Sequence, residues 1–106
     1  MEKKLPSAYR RFADEHPVVM RSYEALSEAC LREGPLDRKS AELVKLGIAM
    51  GARLEGAVHS HVRRALEAGA SADEVRHTVR LGLTTVGFPT MMATLSWAND
   101  VLAEGD

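Results

Sequence analysis

Of the four histidines in this chain, His61 has the surroundings that best suit acid–base chemistry. At 100° per residue it falls on one helical stripe with Leu54, Ala57, Val58, Ala65 and Ala68. Small neighbours leave space beside an imidazole, the side chain that gains and loses a proton near neutral pH. General acid or base work at a pocket lined by Leu54 and Ala57 is the chemistry this pattern suggests. The plain alternative is a hydrogen-bonded core histidine. Glu42 is the natural carboxylate partner. It stands one turn ahead of the uncharged run Leu46–Ala52, where full solvation is not expected, although a glutamate near a helix start also gains from the helix dipole. Spacing alone does not bring Glu42 to His61; their helices must pack side by side.

Other chemistry-bearing residues carry less. Glu55 and His59 are four apart and can share a helix face, but no third ligand is evident beside them. His59 and His61 form an HxH, which on a helix points the two rings roughly 200° apart. No metal site is therefore expected, and Glu55, His59 and Arg63 read as a solvated, charge-paired face. His16 and His77 sit among charged residues and read as surface. Cys30 is the only cysteine, so neither an intrachain disulfide nor a CxxC pair can form. Its place on the apolar side of a helix reads as a buried, inert thiol. Met91 and Met92 read as core or interface filler. No GxGxxG, phosphate loop, GxSxG or HExxH is present.

The elements that must position these residues are helices. Pro6, Pro17, Pro35 and Pro89 stand where helices can begin, and Gly34, Gly69 and Gly87 where they can end. No stretch alternates with period two, so the chain is expected to be all-α, with five or six helices. A helix from about Pro17 to Arg32 stops at Glu33-Gly34-Pro35. Asp37 caps a second, running to about Met50. A third spans about Arg53 to Ala68. The capping box Ser71-Ala72-Asp73-Glu74 opens a fourth, through about Val86, with Val75, Val79, Gly82, Leu83 and Val86 facing inward. The last runs from Pro89 to about Leu102, with Met92, Leu95 and Leu102 in register. The run Leu46–Ala52 is uncharged on every side, and a subunit interface is one way to bury it.

Composition narrows the function. The 106 residues, 45% hydrophobic and 27% charged, suit one domain over residues 1–106, with its core at about 17–102. Fourteen Lys and Arg against fifteen Asp and Glu leave a net charge of −1. There is no basic field for a phosphate backbone and few aromatics to stack on bases, so no nucleic-acid partner is expected. No segment approaches the ~18 apolar residues of a membrane span, and no secretory signal is seen, so a cytoplasmic protein without a membrane partner is expected.

Several of these pieces occur together in one order: Gly34-Pro35-Leu36-Asp37, then Ala41-Glu42-Leu43-Val44, then His61 through Ser71, then Asp73-Glu74-Val75, and Val86-Gly87-Phe88-Pro89. In this the chain resembles the carboxymuconolactone decarboxylase family, which includes the alkylhydroperoxidase D-like proteins. The resemblance spans about Pro17 to Leu102. It implies the alkylhydroperoxidase D-like helical fold, assembled as a homotrimer or homohexamer. The family's peroxidase branch uses a glutamate, a CxxC and a histidine. The glutamate matches Glu42 and the histidine His61, while the cysteine positions fall on Leu54 and Ala57. Without those sulfurs, direct peroxide reduction through a disulfide is not expected. The decarboxylase branch works without the CxxC and without a cofactor, on a small lactone acid. The resemblance thus implies a cofactor-free lyase-type site, with His61 moving the proton, Glu42 orienting it, and Arg53, Arg64 or Arg80 available to a substrate carboxylate. The alternatives are a non-catalytic oligomeric binding or scaffold protein, or an accessory of a peroxidase system whose thiols come from elsewhere.

Overall fold

The computed structural model describes residues 6–104, which are helical in α1 (Ser7–Glu15), α2 (Pro17–Arg32), α3 (Arg38–Gly51), α4 (Glu55–Glu67), α5 (Ala72–Arg80) and α6 (Phe88–Glu104). A single 3-10 turn, Leu81–Thr84, follows α5, and no strand occurs among the described residues. The all-α expectation holds. The chain forms two compact units, one ending at Pro35 and one beginning at Leu36.

In the first unit, α1 ends at His16, whose N–H donates to the Phe12 carbonyl at 2.8 Å. Pro17 then opens α2 at a position where its missing N–H costs nothing. The Tyr9 hydroxyl donates to Glu24 at 3.0 Å and ties α1 to α2. Met20 is the buried apolar residue of α2, while Val18, Val19, Tyr23 and Leu26 are exposed. Cys30, expected to be buried, is exposed. It shares a helix side with Tyr23 and Leu26 (spacings of seven and four), and all three residues of this stripe are exposed.

The second unit packs α3 to α6 around one core. Leu46, Ala49 and Met50 face Val58, Val62 and Ala65 of α4, Val75 and Val79 of α5, and Met91, Ala98, Val101 and Leu102 of α6. Each fully buried branched side chain contributes about 1.5–3 kcal/mol relative to an exposed one. The run Leu46–Ala52 is buried on one face only: Leu46, Ala49 and Met50 are enclosed, while Ile48 is 66% exposed. Three inward assignments shift. Leu83 is exposed, because the chain leaves the α-helix at Leu81 and the tighter 3-10 turn rotates later residues out of phase. Met91, not Met92, enters the core of α6. On α4 the buried stripe is Val58, Val62 and Ala65, centred on a valine that the apolar count left out.

Caps explain the boundaries. The Asp37 carboxylate accepts from the Ser40 N–H at 2.7 Å, starting α3. Ser71 and Glu74 form the expected capping box, with bonds of 3.0 and 2.9 Å. Lys39 adds an ion pair to Glu74 at 3.0 Å, linking α3 to α5. Helix α4 starts two residues later than expected, because Arg53 adopts φ 56°, a left-handed turn that no helix can include. Gly69 closes α4 at φ 101°, where a side chain would be strained.

Those caps set an acid limb of stability. Backbone hydrogen bonds from Ser40 and from Ser71 are the largest causes holding Asp37 and Glu74, respectively, below the usual carboxylate range. Since both folded-state values lie below the unfolded ones, their stabilisation is complete above the unfolded range and is lost as pH falls through the folded values. Urea midpoints measured from pH 6 down to pH 2 should therefore fall less steeply in Asp37→Ala than in the wild type. Ser71→Ala, which removes one half of the capping box, should cost about 1 kcal/mol at neutral pH.

Candidate active site

Glu42 lies four residues before Leu46 and seven before Ala49, so it points to the same side of α3 as the core residues. That register explains a carboxylate only 1% exposed. On α4, His61 lies between the buried Val58, Val62 and Ala65 and the helix flank, with its side chain 18% exposed. Close packing of α3 against α4 brings the two together: His61 Nδ1 lies 2.9 Å from Glu42 Oε1. With the carboxylate ionised, Nδ1–H donates, the ring is fixed in one orientation, and Nε2 is left to carry a reacting proton. The two residues singled out for acid–base work are thus joined directly, across two helices and 19 positions of sequence.

The expected pocket residues are placed less alike. Ala57 is half-buried and packs on the core, whereas Leu54 is 54% exposed. Leu54 is the N-cap of α4, with extended backbone at φ −101° and ψ 95°, so helical-wheel geometry does not govern its direction. The three arginines separate. Arg53 donates through Nη1 to the Thr90 hydroxyl in the first turn of α6. Arg64 is half-buried near the end of α4. Arg80 borders a shallow cleft with Asp73, Glu74 and His77, an acidic setting for a carboxylate ligand. His16 and His77 are exposed, as expected.

Glu55 and His59 acquire the third neighbour that the sequence did not reveal. Asp100 of α6 reaches His59 Nε2 at 3.1 Å. The donor atoms of Glu55, His59 and Asp100 all lie within 4.8 Å of one another. The pairing spans 41 positions, and no local signal foretells it.

The family model for the carboxymuconolactone decarboxylase family matches residues 17–100. The chain belongs to this family. Among solved structures, it is similar to an apo carboxymuconolactone decarboxylase family protein from Legionella pneumophila, with a TM-score of 0.75 and 23% identity over 92% of this chain and 87% of that one. It is also similar to a Thermotoga maritima family member, named for a suggested involvement in antioxidative response, with a TM-score of 0.67 and 20% identity over 92% of this chain and 86% of that one. At these identities the likeness establishes the fold. No curated protein matches the sequence. No helix among the described residues is long and apolar enough to cross a membrane.

Proposed function

We propose that the Glu42–His61 pair is the centre of a cofactor-free lyase-type site acting on a small carboxylic acid or lactone. The direct 2.9 Å hydrogen bond between a buried carboxylate and a partly exposed imidazole carries this reading. In a decarboxylation the bond from the ring carbon to the carboxylate breaks, carbon dioxide leaves, and the electron pair passes into a dienolate. The imidazolium of His61 then delivers its Nε2 proton to carbon and takes another from water. Glu42 acts through His61, holding the ring and balancing its charge in the protonated form. Arg53, Arg64 and Arg80 are the cations available to a substrate carboxylate; of these, Arg53 directly precedes Leu54, and its guanidinium donates to the Thr90 hydroxyl.

The partner proposed for the fold is itself, as a homotrimer or homohexamer in the cytoplasm. Support comes from exposed apolar side chains, including Tyr23 and Leu26 on α2 and Val44 and Ile48 on α3. A chain this short buries a modest fraction of its surface alone, so self-association is the economical way to cover them. A second reading, an accessory role in a peroxidase system, draws on the exposed Cys30 and on the antioxidative naming of the Thermotoga protein. It requires a thiol partner, because one sulfur cannot both attack and be resolved within a single chain.

Ultraviolet-monitored conversion of 4-carboxymuconolactone tests the lyase reading. Turnover by the isolated protein, with no added metal or thiol, is the expected result. Absence of turnover on this compound and on a panel of related lactone acids would overturn it, and reduction of an added hydroperoxide that requires an added dithiol would favour the accessory role.

A further inference from the structure

We propose that Glu55, His59 and Asp100 form a binding site for one divalent first-row transition-metal ion, independent of the Glu42–His61 pair. His59 and His61 point roughly 200° apart on α4, so the two sites occupy different sides of that helix. Each site therefore stands or falls separately.

Three features carry the assignment. The first is geometry. Glu55 and His59 are successive residues on one face of α4, and Asp100 comes from the adjacent α6, with all three donor atoms within 4.8 Å of one another. Ligands about 2.1 Å from a common ion stand about 3 Å apart when they subtend a right angle, as His59 Nε2 and Asp100 Oδ2 already do at 3.1 Å. Only a modest rotation of the exposed Glu55 side chain is needed to complete the set.

The second feature is rigidity of the frame. Val58 and Val62 flank His59 and are fully buried, and Ala98 and Val101 flank Asp100 in the same core. The donors thus project from two packed helices and not from loops, which fixes their spacing before any ion arrives.

The third is charge. With His59 neutral the cluster carries two negative charges. Protonated His59 can balance one carboxylate, whereas a divalent ion balances both. An imidazole nitrogen with two carboxylate oxygens favours zinc, cobalt or nickel over magnesium or calcium, which prefer oxygen alone. The half-buried His59 and the two exposed carboxylates leave the outer coordination positions to water or to an exogenous ligand.

The experiment is a calorimetric titration of Zn²⁺ into tag-free protein in a non-chelating buffer. Visible absorption of the Co²⁺ form reports the ligand set. One ion per chain should bind. His59→Gln and Asp100→Asn should each weaken binding by at least about tenfold and remove or shift the cobalt bands. His77→Gln, which alters an exposed histidine on α5, should leave both readouts unchanged. Circular dichroism of the two site variants should match the wild type, since Asp100 is exposed and His59 is not in the apolar core. No binding at millimolar Zn²⁺, or binding that survives both site substitutions, would overturn the proposal.

Discussion

His61→Ala is expected to lower turnover by about 10²–10⁴-fold, the usual contribution of a positioned proton donor, and to destabilise the protein as well. The stability cost follows from Glu42. Removing the imidazole leaves a carboxylate that is 1% exposed without its 2.9 Å partner. Stranding a buried charged group in this way costs about 2–3 kcal/mol, somewhat reduced here because the vacated, partly exposed position admits water. A loss of stability alone therefore does not separate a catalytic His61 from a structural one. A double-mutant cycle with Glu42→Leu does. In that background the buried charge is gone, so His61→Ala should cost about 1 kcal/mol or less, a coupling detectable by urea denaturation. Turnover should stay low in the double variant despite its recovered stability. Glu42→Gln keeps an acceptor for Nδ1–H but removes the charge, and should lower kcat about tenfold with little change in KM. Equal stability costs of His61→Ala in both backgrounds would show that Glu42 does not depend on His61. Full activity in the stable double variant would remove His61 from the chemistry.

The second large effect separates the two faces of α3. Leu46→Ala should cost about 2–5 kcal/mol, because it opens a cavity at a position with no solvent exposure. In a domain of this size that lowers the thermal midpoint by 10 °C or more, on the order expected from the unfolding entropy. Ile48, two residues on and 66% exposed, should tolerate aspartate with retained helicity. If α3 supplies part of a self-association surface, Ile48→Asp should also reduce the mass seen by light scattering, from a trimer or hexamer toward a monomer. A wild-type monomer at micromolar concentration would refute the oligomer proposal and leave the exposed apolar residues without a partner of this kind.

Local rules made most helices legible from the residues alone. Proline and glycine positions, the Asp37 cap and the Ser71–Glu74 capping box are short-range features, and each is satisfied within three residues of its partner. Periodicity did less well where the backbone leaves the α-helix. It misplaced Leu83 because a 3-10 turn changes the rotation per residue, and it placed Leu54 on a helical stripe although that residue is an extended cap. The burial of Cys30 was misjudged because an apolar stripe is recorded in sequence whether or not anything in the chain covers it.

The sequence by itself determined the helical class and the family, and it singled out Glu42 and His61 as candidates for proton transfer. Residue type and order encode these, and neither depends on a distant contact. Tertiary structure decided that Glu42 and His61 touch, that Asp100 joins Glu55 and His59, and which face of the uncharged run is covered. The physical reason is common to all three. Each depends on the relative placement of two helices, α3 with α4 or α4 with α6, and that placement is set by the collective packing of the core and by no signal local to the residues concerned.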